Sequence, residues 1–228
     1  MLFFSKNISY LKNANNNIDA TTIALKLGAT FPYLASGEIQ PTVKDLVVLS
    51  DLFNTSIDDL LKKDLQEQAE IIANKKIKFL VLDVDGTLTD GGMYFDSSGD
   101  EIKKFNAKDG RGMINAIKAG VPVALLSSGL NKPLLEKRAS MLGIKHVFAN
   151  EADKLTVLKK WCKELNISLQ ETAFIGDDIN DMAVMKQVGV AACPCDAVTE
   201  IRNLAHIVLN RKGGEGCVRE FIDNYINI

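Results

Sequence analysis

Asp83-Val84-Asp85-Gly86-Thr87 follows directly on the apolar run from Ile77 to Leu82, and together they indicate the fold class. Such a run is typical of a strand covered on both faces of a parallel sheet. In open α/β sheets, ligands bind beyond the carboxyl ends of the strands. Because residues i and i+2 of an extended chain share a face, Asp83 and Asp85 can both reach one substrate. The alternative is an Asp-rich turn that merely ends a strand.

A second acidic segment, Ile175-Gly176-Asp177-Asp178-Ile179-Asn180-Asp181, ends another predicted strand, Thr172 to Ile175. Three carboxylates so close together repel one another, and a cation offsets that repulsion. Hard oxygen ligands of this kind suit Mg²⁺, which proteins commonly hold with one or two carboxylates plus substrate phosphate and water. A purely structural role as helix N-caps explains one of the three aspartates, but not all of them.

Two further candidates lie between the acidic segments. The predicted strand Val123 to Leu126 leads into Ser127-Ser128-Gly129, where a hydroxyl group and a permissive backbone suit contacts to phosphate. Lys154 opens a helical pattern for which Asp153 is the expected N-cap. Ser-Ser-Gly is also a common loop sequence, and a lysine at a helix start is usually a solvated surface residue. Their place in the series of motifs is what singles them out.

Taken together, D-x-D-G-T, strand-Ser, Lys and G-D-D-x-x-D occur in the order found in the haloacid dehalogenase superfamily of phosphohydrolases, which the chain resembles from about Lys75 onwards. Within it, five segments resemble the 3-deoxy-D-manno-octulosonate 8-phosphate phosphatases and the related nonulosonate 9-phosphate phosphatases: Leu88–Tyr94, Gly99–Glu101, Lys104–Asn106, Asp109–Gly112 and Gly213–Glu220. The resemblance implies an α/β fold: a Rossmann-like parallel sheet with helices on both faces and a small β-hairpin flap, preceded here by a small all-α domain.

The resemblance also implies a mechanism. Asp83 is the nucleophile that becomes an aspartyl phosphate, and Asp85 protonates the leaving sugar and then deprotonates the hydrolytic water. Mg²⁺ is implied as the cofactor, held by Asp83, the backbone carbonyl of Asp85 and Asp177, with support from Asp178 and Asp181. The phosphoryl oxygens are bound by Ser128, Gly129 and Lys154.

One substitution bears on the identity of the sugar acid. Where the octulosonate group usually shows Thr-Gly-Arg, this chain has Ser128-Gly129-Leu130, so a basic residue that can meet a carboxylate is replaced by an apolar one. We expect a phosphorylated 2-keto-3-deoxy sugar acid, 3-deoxy-D-manno-octulosonate 8-phosphate first and a nonulosonate 9-phosphate as the alternative. Transfer of the phosphoryl group to another acceptor stays open.

The candidate substrate-binding cations are Lys104, Lys108 and Arg111, with Lys103 and Arg211 as further carboxylate partners. Each of them also fits an ordinary surface charge.

About forty residues separate the first two motifs, too few for a large cap domain. The segment Gly91 to Phe105, with a turn at Ser97-Ser98-Gly99, predicts a short β-hairpin. Such a flap cannot close a site alone, and in the similar families a tetramer encloses the pocket while the glycine-rich tail reaches a neighbour. We therefore expect a homotetramer in which Gly213, Gly214 and Gly216 let the tail bend. A flexible linker before the last predicted helix, Val218 to Tyr225, is the alternative.

The amino-terminal part predicts a separate helical domain. We divide the chain into a helical domain over 1–65, a linker over 66–76 and a phosphatase domain over 77–228. Helical patterns over Asn7–Leu11, Ala20–Leu27, Val43–Phe53 and Ile57–Leu61 resemble lambda-repressor-like helix-turn-helix domains. The span from Gly28 to Pro41 is short where a recognition helix should lie. The domain contains six lysines and no arginine, against seven acidic residues. Phosphate contacts need positive charge, so we expect an interaction role; a DNA-binding regulator with a phosphatase-like sensor is the alternative from another class.

Composition agrees with an enzyme that contacts neither nucleic acid nor membrane. The formal net charge is -2, and 46% of the residues are hydrophobic. The apolar start of the chain is too short for a signal peptide, and no apolar run reaches the roughly 18 residues of a membrane span. The four cysteines lack the spacing of a zinc site and predict reduced thiols. We therefore expect a cytoplasmic protein.

Overall fold

A computed structural model describes residues 3–15, 18, 20–53, 55–73 and 76–226, without the side chains of residues 20, 68 and 71–73. The chain divides into two compact units, Met1–Ile72 and Ala73–Ile228. Asn74 and Lys75, which belong to the predicted linker, lie outside the described residues, as do Met1 and Leu2 at the start of the chain. Within the described part of the chain, no helix combines the length and the apolar character needed to cross a membrane.

The first unit is helical. Its helices are α1 (Phe4–Ala14), α2 (Ala20–Leu27), α3 (Phe31–Ser36), α4 (Val43–Phe53), α5 (Ile57–Lys62) and α6 (Leu65–Ala73), with a 3₁₀ turn at Gly28–Thr30. The Ser56 side chain caps α5 by accepting a hydrogen bond from the Asp59 N–H. Buried Ile8, Leu34 and Leu49 belong to the core on which these short helices depend.

A six-stranded parallel sheet forms the centre of the second unit. Its strands are β1 (Phe79–Leu82), β4 (Val123–Ser127), β5 (His146–Ala149), β6 (Thr172–Ile175), β7 (Val190–Cys193) and β8 (Ile207–Val208), in the spatial order β5-β4-β1-β6-β7-β8. Every residue of β1 is buried, as the apolar run predicts. From β1 the strands are added first on one side, as β4 and β5, and then on the other side, as β6, β7 and β8. The strand order therefore reverses at β1. A crevice at the carboxyl ends of these strands is the expected ligand site.

Among the described residues of this unit, six helices accompany the sheet: α7 (Ala107–Lys118), α8 (Lys132–Leu142), α9 (Lys154–Leu165), α10 (Met182–Met185), α11 (Thr199–Leu204) and α12 (Cys217–Tyr225), with 3₁₀ turns at Leu169–Glu171 and Ile179–Asp181. The predicted N-cap of α9 is confirmed, because Asp153 accepts hydrogen bonds from the backbone N–H groups of Leu155 and Thr156. The core joins sheet and helices through residues such as Phe79, Leu158 and Phe174. The predicted α/β fold with a parallel sheet is confirmed.

The predicted β-hairpin is also present. Strands β2 (Tyr94–Phe95) and β3 (Glu101–Ile102) pair antiparallel, with Tyr94 opposite Ile102. The turn between them is closed by Asp96, whose carboxylate accepts hydrogen bonds from the backbone N–H groups of Ser98 and Asp100. We call residues 91–105 the flap. Several of its large apolar side chains are exposed: Met93, Tyr94, Phe95 and Ile102.

Candidate active site

Two neighbouring strands deliver the acids to one place. Asp83 follows β1 and Asp177 follows β6, and the Asp83 N–H donates a hydrogen bond of 2.9 Å to the Ile175 carbonyl. Asp181, one turn further along, points back to the same point. Carboxylate oxygens of Asp83, Asp177 and Asp181 lie within 4.8 Å of one another. The two predicted strand ends therefore converge, and Asp181 joins them in the same cluster.

Lys154 brings a positive charge into this cluster. It is the first residue of α9, its side chain is 3% exposed, and its Nζ lies 2.6 Å from Oδ1 of Asp83 and 2.7 Å from Oδ1 of Asp181. Burial lowers the pKa of the Lys154 ammonium, but the attraction of Asp83 and Asp181 outweighs it, so the pKa is raised overall. Lys154 is therefore a buried cation held between two acids, unlike an ordinary surface lysine.

One ammonium does not balance three carboxylates. Burial raises the pKa of Asp83 well above its usual range, with repulsion from Asp181 as a further cause. Burial and Asp181 also raise the pKa of Asp177 to about 6. This unmet negative charge, together with converging oxygen ligands, fits a hard divalent cation. The arrangement can bind such an ion while keeping Asp83 next to a positive side chain, as phosphoryl transfer requires.

The loop after β1 shapes the site through small residues. Gly86 has a φ of +84°, and a Cβ at this position would overlap the carboxylate of Asp177. Thr87 is buried, and its Oγ1 donates a hydrogen bond of 3.1 Å to Oδ1 of Asp177. The motif thus specifies the orientation of an acid 90 residues away in the sequence.

The other two acids of the second segment have different surroundings. Oδ2 of Asp181 accepts a hydrogen bond of 3.0 Å from the backbone N–H of Asp177, which fixes the turn between them. Asp178 accepts a hydrogen bond from the Ile179 N–H at 2.7 Å and caps the 3₁₀ turn that follows. Asp178 therefore has a capping role, whereas Asp181 faces Lys154 in the cluster.

Asp85 turns away from the cluster. Its side chain is 43% exposed and is paired with Lys103 of the flap at 2.5 Å. It borders a cavity of about 700 Å³ whose other walls include the flap residues Met93 and Phe95 and the loop residues Gly129 and Leu130. From the sequence, Lys103 is predicted only as one of several carboxylate partners. No local signal distinguishes it, because its contact with Asp85 depends on how the flap folds back.

The segment Ser127-Ser128-Gly129 reaches the same cavity through Gly129. The Ser127 Oγ accepts a hydrogen bond of 2.9 Å from the Gly129 N–H, which closes a tight turn after β4. The Ser128 hydroxyl accepts a hydrogen bond of 3.3 Å from the Asn180 side chain. Asn180, which sequence reasoning did not single out, thereby links the second acidic segment to the predicted phosphate-binding loop.

Three predicted substrate-binding cations are not brought to this cavity. Lys104 pairs with Asp90 at 2.7 Å on the exposed side of the flap. Lys108 lines a different surface groove, next to Arg211 and Arg219. Arg111 is exposed on α7. None of these three lines the 700 Å³ cavity beside Asp85, whereas Lys103 does.

The glycine-rich tail packs on its own chain. The Gly214 N–H donates a hydrogen bond of 3.0 Å to the Thr87 carbonyl, and the Gly213 N–H donates one of 3.0 Å to the Asp196 carboxylate. Gly213 and Gly214 are both buried. These contacts contradict the interpretation of the segment as a flexible linker, since they tie it to the loop that carries Asp83 and Asp85.

The chain is similar to known proteins. Residues 128–221 match the model of a family described as haloacid dehalogenase-like hydrolases. The 3-deoxy-D-manno-octulosonate 8-phosphate phosphatase of Yersinia pestis is 40% identical over 147 residues, which are 64% of this chain and 78% of that protein. The enzyme of Escherichia coli K12 is 36% identical over 156 residues, 68% of this chain and 82% of the relative.

A solved structure supports the same assignment. The phosphatase from Moraxella catarrhalis, in complex with magnesium ion, phosphate ion and a KDO molecule, is 31% identical, with a TM-score of 0.64 over 69% of this chain and 89% of that one. Fold, converging acids and sequence identity agree, so this chain is a phosphatase. It belongs to the family of the 3-deoxy-D-manno-octulosonate 8-phosphate phosphatases within the haloacid dehalogenase-like hydrolases.

Proposed function

We propose that this phosphatase hydrolyses 3-deoxy-D-manno-octulosonate 8-phosphate to the sugar acid and inorganic phosphate. The names of the relatives support the substrate. The observation that supports the chemistry is the buried Asp83 carboxylate, which faces Lys154 and lies in a cluster with Asp177 and Asp181. A carboxylate beside a fixed ammonium suits attack on a phosphoryl group.

In the first step, a carboxylate oxygen of Asp83 forms a bond to phosphorus. The bond from phosphorus to the sugar oxygen breaks, and its electron pair stays with that oxygen. Asp85 supplies the proton that the sugar oxygen takes up. Lys154, with Ser128 and Gly129 at the opening, neutralises and orients the phosphoryl oxygens while the group moves.

In the second step, Asp85 acts as a base. A water molecule gives its proton to Asp85 while its oxygen bonds to phosphorus, and the bond between phosphorus and Asp83 breaks. Inorganic phosphate leaves, and both aspartates return to their starting states. One carboxyl group serves as acid and then as base, because the proton that it loses in the first step is regained in the second.

The cofactor of this phosphatase family is magnesium, and the residues of the cluster fit it. Asp83, Asp177 and the Asp85 carbonyl would hold the ion, supported by Asp178 and Asp181; the buried excess of negative charge argues for a cation there. When bound, magnesium neutralises charge that develops on the phosphoryl oxygens.

A nonulosonate 9-phosphate is the second candidate substrate. Leu130 is 70% exposed and lines the cavity. The octulosonate group usually has at this sequence position a basic residue that can meet a carboxylate. An apolar side chain there favours a leaving sugar with a less polar surface than that of the octulosonate. Lys103 is the cation among the described residues that line this cavity, but it is engaged with Asp85 and Glu101.

Phosphate release from a substrate panel tests the proposal. The purified full chain with magnesium is given octulosonate 8-phosphate and a nonulosonate 9-phosphate in parallel. We expect the higher kcat/KM on the octulosonate, with one phosphate released per sugar. Preference for the nine-carbon acid would replace the first candidate by the second, and phosphate that appears only on an added alcohol would indicate a transferase.

The nucleophile is tested in the same assay. Asp83→Asn keeps the size of the side chain but removes the attacking carboxylate, so turnover should fall at least about a thousand-fold. Retained turnover by a correctly folded variant would contradict the assignment of Asp83.

For the amino-terminal unit we propose a helix-turn-helix-like fold with an interaction role. Helix α3 has six residues, of which Phe31 and Leu34 are buried, so little of its length is available to a DNA groove. The span from Gly28 to Gln40 contains no lysine or arginine. A low-salt gel shift with genomic fragments should therefore show no sequence-selective retention, and retention would favour the regulator.

A further inference from the structure

Lys103, a residue of the flap, contacts two carboxylates. Lys103 follows β3 directly, and its Nζ contacts Oδ1 of Asp85 at 2.5 Å and Oε1 of Glu101 at 2.7 Å. Its side chain is 6% exposed. The next residue, Lys104, pairs with Asp90 and is 64% exposed. Two adjacent lysines thus have different surroundings, and only the first contacts the acid beside the cavity.

The burial of Lys103 makes this contact a fixed one. Exposed ion pairs contribute little, because the long side chains remain mobile and solvent screens their charges. The ammonium of Lys103 is covered although Asp85 itself is 43% exposed, so the lysine end of the pair is held in place and its charge depends on the two carboxylates that it contacts. Glu101 holds the ammonium from the flap side, so the contact to Asp85 is anchored at its far end.

The two oxygens of Asp85 have different neighbours. Oδ1 is bound by Lys103, whereas Oδ2 lies against the turn at Gly129, where an added Cβ would be 3.2 Å from it. That turn belongs to the predicted phosphate-binding loop. An oxygen that delivers a proton must lie within hydrogen-bond reach of the leaving group. Fixing Oδ1 therefore determines where Oδ2 points.

We propose that Lys103 is a positioning residue, which holds Oδ1 of Asp85 so that Oδ2 faces the phosphate-binding loop and serves as the proton-carrying oxygen. The inference rests on the proposed role of Asp85 but not on which sugar acid is the substrate. The flap then contributes to the chemistry, since Glu101 lies in β3 and Lys103 follows it directly. The rival role for Lys103 is direct binding of the substrate carboxylate.

Leaving-group chemistry separates these roles. A sugar or other alkyl oxygen needs a proton as it departs, so its kcat/KM depends on the orientation of Asp85. The nitrophenolate of p-nitrophenyl phosphate leaves without one. Because kcat/KM includes steps only up to departure of the leaving group, later hydrolysis of the aspartyl phosphate does not enter the comparison.

The experiment measures kcat/KM of wild type and Lys103→Met on three substrates with magnesium: octulosonate 8-phosphate, glucose 6-phosphate, which has no carboxylate, and p-nitrophenyl phosphate. We expect about a hundred-fold loss on both alkyl phosphates and less than about threefold loss on the aryl phosphate. Loss on octulosonate 8-phosphate alone would overturn the proposal in favour of carboxylate binding. Equal loss on all three, or no loss, would also overturn it.

Two further variants complete the test. Lys78→Met removes a lysine that pairs with Glu171 at the amino ends of β1 and β6, opposite to the end that carries the acids, and it should leave all three values unchanged. Glu101→Gln removes the anchor while retaining Lys103, and we expect the same selective loss at about a tenth of the size; the absence of that selectivity would overturn the proposal even where Lys103→Met folds poorly. If wild type hydrolyses only the two general phosphates, the proposed substrate fails, while their comparison still decides the role of Lys103.

Discussion

At the scale of single residues, one hydroxyl group orients Asp177. Thr87→Val keeps the shape of the buried side chain but removes the donor to Oδ1 of Asp177. Groups that orient a metal ligand typically contribute 10- to 100-fold in metal affinity. We therefore expect the magnesium concentration for half-maximal activity to rise about tenfold, measured by phosphate release across a magnesium titration at constant ionic strength.

The matched control for this prediction is Thr172→Val. Thr172 is equally buried, and its hydroxyl donates to the Ser168 carbonyl at the start of β6, away from the acids. The control should lower stability without changing the magnesium requirement. A Thr87→Val variant with the wild-type requirement would show that Asp177 does not depend on this hydroxyl for its function.

Asp109 predicts a pH dependence of stability. It is almost completely buried, its Oδ1 accepts a hydrogen bond of 2.7 Å from the Arg219 N–H in the first turn of α12, and its Oδ2 has no partner among the described residues. Burial raises the pKa of Asp109 to about 6, although the Arg219 N–H and the charge of Arg211 oppose this. The folded protein therefore holds this proton more tightly than the unfolded chain does.

The sign follows from this difference. Between pH 4 and pH 6 the folded state keeps the proton and the unfolded state has lost it, so the contribution of Asp109 to the free energy of unfolding falls as pH rises. With ~1.4 kcal/mol per pKa unit, the fall is about 3 kcal/mol. Asp109→Asn cannot ionise, so its stability relative to wild type should rise by this order between pH 4 and pH 7 in urea unfolding. A constant difference would contradict the prediction.

The acids of the site were predictable because each follows an apolar strand, and parallel strands end at one edge. Asp83, Asp177 and Lys154 meet there. The partner of Asp85 was not predictable, because Lys103 reaches it only after the flap folds back over 18 residues. Spacing along the chain carries no information on such a contact. For the same reason, Lys104 and Lys108 were indistinguishable from Lys103 in the sequence.

At the scale of elements, the tail before α12 presses against the loop after β1. A Cβ on Gly213 would overlap the backbone carbonyl of Gly86, so only a glycine allows this approach. Gly213→Ala must push the two segments apart, and Asp85 precedes Gly86 directly. We expect a loss of stability of about 2 kcal/mol, within the range for overpacking, and a kcat lowered about tenfold or more because misplaced groups react slowly.

Gly120→Ala is the control for this prediction. Gly120 has a φ of +89° and no atom near an added Cβ, so alanine there meets only backbone strain. It should lose about 1 kcal/mol with an unchanged kcat. Thermal unfolding and steady-state rates of both variants provide the comparison, and a normal kcat in Gly213→Ala would show that the tail does not control the loop.

Elements with a strong local pattern were predicted well. The strand at Thr172–Ile175 and the helices at Ala20–Leu27 and Val43–Phe53 agree with the sequence patterns, since apolar spacing specifies them directly. Helix α3 was not predicted, because its six residues give less than two turns of pattern. The docking of the tail could not be read from its glycines, which are equally compatible with a linker.

At the scale of the whole molecule, the flap leaves the site of one chain open. A two-stranded ribbon has little stability of its own, and the ion pair of the covered Lys103 with Asp85 holds this one to the loop after β1. It nevertheless exposes Met93, Phe95 and Ile102. Clustered exposed apolar side chains mark interaction sites. We propose that other copies of this chain cover them in a homotetramer.

This proposal predicts the effect of a charge on the flap. Ile102→Glu places a carboxylate on the exposed face of β3, where solvent accepts it in a single chain but a subunit interface would not. Light scattering after gel filtration should give a tetramer mass for wild type and a smaller mass for the variant, with a raised KM because the cavity beside Asp85 loses its cover. Val43→Glu, at an even more exposed apolar position in the helical unit, should keep the tetramer. A monomeric wild type, or a variant that stays tetrameric, would mean that the flap is not the interface.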